Sequence, residues 1–203
     1  MNPGPVAGLA GDVCAGKSAV SARFKTLGAR VWDADGFVRK LYEKDDVKAD
    51  VRRLFGNAVF NEQGQVDRGK IGNLVFEQKP ELLAQLTGQI LYPRTGAAIR
   101  EEIQAFRNQT EEKVLLLDAP TLFESGTAAV CDRLLWVSAP LETRTKWAAE
   151  KRGWPPGEIE RRESRMLPAA EKQAKCQDVI HNKGTLDELN SQVDRIWKLW
   201  TGS

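Results

Sequence analysis

Apolar residues in this chain gather in short unbroken runs, separated by stretches with helical spacing. The runs are Val6-Ala7-Gly8-Leu9-Ala10, Ala29-Arg30-Val31-Trp32, Val114-Leu115-Leu116-Leu117, Leu134-Leu135-Trp136-Val137 and a shorter one around Asp178-Val179-Ile180. Continuous apolar runs, unlike alternating ones, predict strands buried on both faces of a parallel sheet. With helices between them, they predict an α/β fold built on a five-stranded parallel sheet. From Gly36 to Arg107 the rhythm changes: Val47, Val51, Leu54 and Phe55, then Leu82, Leu83, Leu86 and Ile90, recur at helical spacing with no convincing strand. This predicts a helical insertion between the second and third strands, near the carboxyl ends of the strands where such folds bind ligands. A second distinct segment, Arg144 to Lys172, is rich in Arg, Lys and Glu and is broken at Gly153-Trp154-Pro155-Pro156-Gly157. It predicts two helices joined at an elbow. Its arginines (Arg152, Arg161, Arg162, Arg165) either face inward as a mobile cover or form a solvated face with Glu partners. Trp136, Trp147, Trp197 and Trp200 fall on apolar positions and read as core.

The first apolar run leads into Gly11-Asp12-Val13-Cys14-Ala15-Gly16-Lys17-Ser18, the G-x-x-x-x-G-K-[ST] spacing of a phosphate-cradling loop. Gly11 and Gly16 let the backbone turn so that successive N–H groups face one anionic centre. Lys17 brings a point charge to the β- and γ-phosphates, and the Ser18 hydroxyl can ligate Mg²⁺. Ser18-Ala19-Val20 then opens a helix whose N-terminus favours negative charge.

Composition narrows the remaining choices. The 203 residues allow one globular unit with room for an inserted subdomain. Thirty basic against 28 acidic residues, a formal net charge of +2, give no argument for nucleic acid. Three scattered cysteines (Cys14, Cys131, Cys176) and one histidine argue against a disulfide framework and a zinc site. There is no apolar run of membrane-spanning length and no leader-like N-terminus, so the expected setting is the cytoplasm.

The ordered set of motifs resembles the dephospho-coenzyme A kinase family over almost the whole chain. The matching residues are Gly8-Leu9-Ala10-Gly11 through Gly16-Lys17-Ser18, Val31-Trp32-Asp33-Ala34-Asp35, Leu54-Phe55-Gly56, Val66-Asp67-Arg68-Gly69-Lys70-Ile71, Val75-Phe76, Leu117-Asp118-Ala119-Pro120-Thr121-Leu122-Phe123-Glu124 and Val179-Ile180-His181-Asn182. The resemblance implies transfer of the ATP γ-phosphoryl group to the ribose 3′-hydroxyl of dephospho-coenzyme A, with ATP and Mg²⁺ as cofactors. It also implies a P-loop kinase core at 1–36, 108–143 and 173–203, a helical acceptor-binding domain at 37–107 and a lid at 144–172. The partners expected are these small molecules, with no nucleic acid or membrane, and the chain acts as a monomer or small homo-oligomer.

By the same resemblance, Asp33 is the candidate general base, since a carboxylate at a strand end can orient a ribose hydroxyl and accept its proton. Asp35 fits better as a cap for the helix beginning near Gly36. Lys17, Arg152 and Arg162 are the other candidate catalytic residues, the arginines as lid groups that stabilise charge on the transferred phosphoryl. Gly11 to Ala19 and Asn182 are assigned to ATP, with Ser18 on the metal. Arg68, Tyr92, Asp118, Phe123 and Glu124 join Asp33 on the acceptor side, Asp118 also supporting Mg²⁺ through water. Arg144, Arg161 and Arg165 stand as neighbours or as surface charge.

The chain departs from the family pattern at several positions. Asp12 and Cys14 stand where the loop usually has glycines; if both need positive φ, each costs about 1 kcal/mol. Ala19, Tyr92, Met166 and Cys176-Gln177 also differ from the usual residues. These changes keep two other readings open: a related small-molecule or nucleoside-monophosphate kinase, and a nucleotide-binding protein with weak or no transfer activity.

Overall fold

The structure, a computed structural model, describes residues 4–109 and 111–202. Its five strands are β1 (Val6–Gly11), β2 (Arg30–Asp33), β3 (Leu115–Asp118), β4 (Arg133–Ser138) and β5 (Asp178–His181). They form one sheet in the order β2-β3-β1-β4-β5, and every pairing is parallel. All carboxyl ends therefore share one edge. In register, Asp33 pairs with Asp118, Leu9 with Asp118 and Gly11 with Val137.

The chain divides into two compact units, Met1–Asp33 with Glu102–Ser203, and Ala34–Glu101. The sequence reading put these boundaries at 36 and 107. The first instead falls where β2 runs straight into α2 (Ala34–Leu41), and the second inside α6 (Tyr92–Arg107). A continuous 16-residue helix gives no break in sequence at Glu102.

In the sheet unit, burial on both faces follows the pattern of the runs in β1, β3 and β4, whereas β2 and β5, the outer strands, are only partly buried, contrary to the expectation. Ala7, Leu9, Leu116, Leu135 and Val137 pack on one face against Val20 and Phe24 of α1 (Lys17–Thr26) and against Leu189, Val193, Ile196 and Trp200 of α10 (Leu186–Thr201). Phe24 stacks on Trp200 at 5.3 Å between ring centroids. Truncating either ring in a site this well buried costs about 3–5 kcal/mol. Leu115, Leu117, Leu134 and Trp136 are buried as well, as two-faced burial requires. A capping box fixes the start of α10: the Thr185 hydroxyl accepts from the Glu188 N–H, and the Glu188 carboxylate accepts from the Thr185 N–H.

The second unit is helical, as the periodicity predicts. It holds α2, α3 (Asp45–Phe55), α4 (Arg68–Asn73), α5 (Glu81–Gln85), two π-helical stretches at Leu74–Gln78 and Leu86–Leu91, and the first part of α6. The only extended pairing in it among the described residues is a single bridge between Phe60 and Val66. Val47, Val51, Leu86 and Ile90 are buried in its core, with Leu54, Phe55, Leu82 and Leu83 packed against them. Asp67 caps α4, accepting from the Lys70 N–H at 3.0 Å. Arg68 is thus the first residue of α4 and is exposed.

The segment read as two helices has three. α7 (Leu141–Arg152) and α8 (Glu158–Glu163) flank the expected elbow, and α9 (Ala169–Gln173) follows Pro168. Five residues at an ordinary polar periodicity are too few to predict α9 from sequence.

Candidate active site

The carboxyl edge of the sheet collects the candidate residues of the first unit. β1 ends at Gly11, where a Cβ would strike the Val137 backbone of β4; only glycine allows this close approach. Asp12 continues it, its N–H donating to the Val137 carbonyl at 3.0 Å. The loop then turns through Cys14 at φ 62° and Gly16 at φ 94° into α1. Cys14 is the sole described non-glycine residue with positive φ. The expectation of strain is therefore met at Cys14 and corrected at Asp12, whose extended connection to β4 needs no left-handed backbone.

Lys17 reaches back over this turn. Its Nζ donates to the Gly11 carbonyl at 3.1 Å and to the Asp12 carbonyl at 3.0 Å. An ammonium has three donors, so these two bonds fix it and leave one for a ligand. Burial pulls this ammonium below its ordinary value, while Asp118 and Asp12 oppose the shift. A desolvated cation at the first residue of α1, where the helix N-terminus also favours negative charge, is a site prepared for an anion.

A cleft of about 220 Å³ opens beside the loop. Cys14, Ala15, Gly16, Lys17, Ser18 and Ala19 line one side, and Trp147, Lys151 and Arg152 of α7 the other. Trp147 is therefore not core, as its apolar setting suggested, but a half-exposed wall of the cleft. Trp136 and Trp200 are buried and Trp197 packs against the core, as expected. Asn182, after β5, donates its side-chain amide to the Ala15 carbonyl at 2.9 Å and is buried there.

Asp33 and Asp118 sit in register at the ends of β2 and β3. Asp33 is exposed at the last position of β2, and Asp35 lies in the first turn of α2. Helix α2 starts at Ala34, so the position just before it is Asp33 and not Asp35, contrary to the expectation. Asp118 is close enough to Lys17 to stabilise its charge. Two strand spacings, about 10 Å, separate the axes of β2 and β1, which leaves room for a phosphoryl group between Asp33 and the loop.

The arginines of α7 and α8 differ in their surroundings. Arg152 lines the cleft, with its guanidinium 4.9 Å from the Trp154 ring centroid. Arg162 lies over the same ring at 4.1 Å and pairs with Glu158 at 2.7 Å, as Arg161 does. Held by both, the Glu158 carboxyl is pulled down to about 2. Of the two readings left open, the Glu-partnered face describes Arg161 and Arg162 in this structure. Arg144 is the reverse case: it is buried, pairing with Glu163 at 2.6 Å.

Phe123 and Glu124 follow β3. Glu124 Oε1 accepts from Lys172 Nζ at 3.0 Å and from the Leu167 N–H at 3.2 Å, tying the segment before α9 to the turn after β3. Lys172 is a buried cation that composition alone hid in a charged run. Arg68 and Tyr92 belong to the helical unit, Tyr92 as the first residue of α6. Among the described residues no cluster of three or more acidic, Cys or His side chains could hold a metal, and no helix is long and apolar enough to cross a membrane.

Comparison with known proteins agrees with this geometry. A relative from Aquifex aeolicus named dephospho-CoA kinase is 34% identical over 194 residues, covering 94% of this chain and 95% of its own. The solved structure of TT1252 from Thermus thermophilus superposes with a TM-score of 0.81 at 29% identity, covering all of both chains. Dephospho-CoA kinase from Campylobacter jejuni, at 18% identity, shares the fold with a TM-score of 0.64 over 97% of this chain and 98% of its own. A family model described as dephospho-CoA kinase matches residues 5–188, from β1 into α10, taking in the phosphate loop, both strand-end aspartates and the arginine-bearing helices; the chain belongs to the dephospho-CoA kinase family.

Proposed function

We propose that the chain uses MgATP to phosphorylate the ribose 3′-hydroxyl of dephospho-coenzyme A, giving coenzyme A and ADP. The observation that supports this most directly is the fixed Lys17 ammonium over a glycine-turned loop, in a chain that belongs to this kinase family. The loop from Gly11 to Ala19 holds the triphosphate through those of its backbone N–H groups that are not bonded within the protein, as those of Asp12, Val13, Ala15 and Ala19 are, and Lys17 directs its remaining donor to the β- and γ-phosphates. The indole of Trp147 offers a flat face to the adenine across the cleft. Asn182 keeps the loop in shape through Ala15.

Asp33 accepts the proton of the 3′-hydroxyl as the ribose oxygen bonds to the γ-phosphorus and the bond from that phosphorus to the β,γ-bridging oxygen breaks, with ADP as the leaving group. Arg152, and Arg162 once freed from Glu158, stabilise the charge spread over the transferred group. Arg68, Tyr92, Phe123, Glu124 and Asp118 are assigned to the acceptor. Arg68 sits at a helix N-terminus, where a positive charge does nothing for the helix, which favours a ligand role. Glu124 Oε2, buried without a partner, is an acceptor left for one.

The residues present fit Mg²⁺. The exposed Ser18 hydroxyl and the Asp118 carboxylate are hard oxygen donors of the kind that hold this ion together with substrate phosphates and water. When bound, it would neutralise charge on the β- and γ-phosphates. A cytoplasmic setting and a monomer or small homo-oligomer go with this reading.

The test is ADP release from MgATP by the purified chain with dephospho-coenzyme A present or absent, with adenylate and shikimate as control acceptors. Release dependent on dephospho-coenzyme A, with coenzyme A as product, is expected. Release with another acceptor, or ATP binding without turnover, overturns it.

A further inference from the structure

We propose that Arg144 and Glu163 form a positioning pair that sets the phosphate loop for nucleotide by docking helix α8 onto it. The pair closes a ring of three bonds around one residue of the loop. Glu163 Oε1 accepts from the Val13 N–H at 3.1 Å and from Arg144 Nη1 at 2.6 Å, and Arg144 Nη1 donates to the Val13 carbonyl at 3.1 Å. Both backbone groups of Val13 are thus satisfied by side chains from α7 and α8, and not by the loop itself. Arg144 Nε donates in addition to the Ala139 carbonyl at 3.0 Å, while the Ala139 N–H lies 3.4 Å from Asp12 Oδ2.

Charge makes the arrangement depend on Arg144. Asp12 and Glu163 are two carboxylates near one another beside a site for a triphosphate. Burial and the neighbouring Glu163 push the Asp12 carboxyl up, and Arg144 opposes both. A guanidinium has the donors in a fixed plane to serve two carbonyls and a carboxylate together, which an ammonium lacks. Arg144 is 7% exposed and is held on three sides, so its position is built by the fold. Asp12 is tied to the same cluster through Ala139, whose N–H faces its carboxylate and whose carbonyl accepts from Arg144. The ring also couples the loop to α8, whose adjacent residue, Arg162, is a candidate lid arginine.

The inference rests on the kinase reading, so its test measures ATP binding by direct titration as well as KM for ATP and for dephospho-coenzyme A in steady state. Glu163 is partly exposed, and Glu163→Gln keeps the shape of the side chain, so this variant is expected to fold. It should weaken ATP by at least about 3-fold, and Arg144→Gln by at least about 10-fold, with KM for dephospho-coenzyme A within about 2-fold of the parent. Because the two residues act as one unit, the double variant should be no weaker for ATP than Arg144→Gln alone. Arg144→Lys should restore less than half of the lost ATP affinity.

Unchanged ATP affinity in folded Glu163→Gln overturns the proposal even if Arg144→Gln fails to fold. Equal loss toward both substrates, or additive effects in the double variant, overturns it too, since a merely structural contact would give those results. If the parent binds ATP but does not turn over dephospho-coenzyme A, the kinase reading fails and the titrations still decide the positioning role.

Discussion

The side-chain amide of Asn182 is bonded to the carbonyl of Ala15 at 2.9 Å, and its nitrogen fills the space a Cβ on Gly16 would need. The loop after β5 and the phosphate loop are therefore interlocked through one buried amide. Removing it leaves the Ala15 carbonyl without a partner, a loss of about 1–3 kcal/mol. Asn182→Ala is expected to lower the melting temperature by several degrees and to raise KM for ATP, with a smaller effect on the acceptor. Thermal unfolding with and without MgATP checks this; a variant that melts with the parent and binds ATP as tightly shows that the interlock carries no energy.

Asp33 ends β2 in an exposed position, so its loss should leave the fold and the phosphate loop intact. Asp33→Ala is expected to bind ATP as the parent does while turnover falls at least about 100-fold, the usual worth of a positioned base. Near-parental turnover would remove Asp33 from the proton transfer.

The three inner strands were legible because burial on both faces leaves unbroken apolar runs; the outer strands β2 and β5 are partly exposed and leave shorter runs that include Arg30 and Asp178, yet all five were located to within a residue or two. The loop was legible because its glycines have fixed geometric duties. Which substituted glycine is strained was not. Asp12 and Cys14 look alike in sequence, yet only Cys14 has positive φ, since the Asp12 N–H is still bonded to β4. Long-range partners were also hidden. Arg144 and Lys172 sit in a charged run that reads as surface, and only the folded chain brings them against Glu163 and Glu124. Trp147 misled for a related reason: an indole on a helix reads as core until the opposite wall is known to be the phosphate loop.

Glu158 gives a pH dependence of definite sign. Its carboxyl falls from an ordinary value of 4.5 to about 2, chiefly through its bond to Arg161 and then Arg162. A depressed carboxylate contributes stability that is complete above the unfolded value and is lost as pH falls through the folded one. The difference in melting temperature between the parent and Glu158→Gln should thus be full at pH 6 and shrink as pH falls from about 4.5 toward 2. A difference that stays constant over that range would show that the Arg161 and Arg162 bonds do not hold in solution.

Trp147 separates the nucleobase from the phosphates as sources of affinity. It lines the same cleft as Ser18 and Ala19 and belongs to the same helix as Arg152. Stacking of a base on an aromatic ring is worth about 1–3 kcal/mol by alanine substitution, so Trp147→Ala should weaken ATP by roughly 5- to 150-fold. Trp147→Phe keeps a flat face and should lie within a few-fold of the parent. Inorganic tripolyphosphate, which has no base, should bind all three proteins alike. Titration of the three with both ligands decides the matter. Equal weakening toward tripolyphosphate would mean that Trp147 shapes the phosphate loop and not the base site, and an unaffected Trp147→Ala would move the adenine elsewhere.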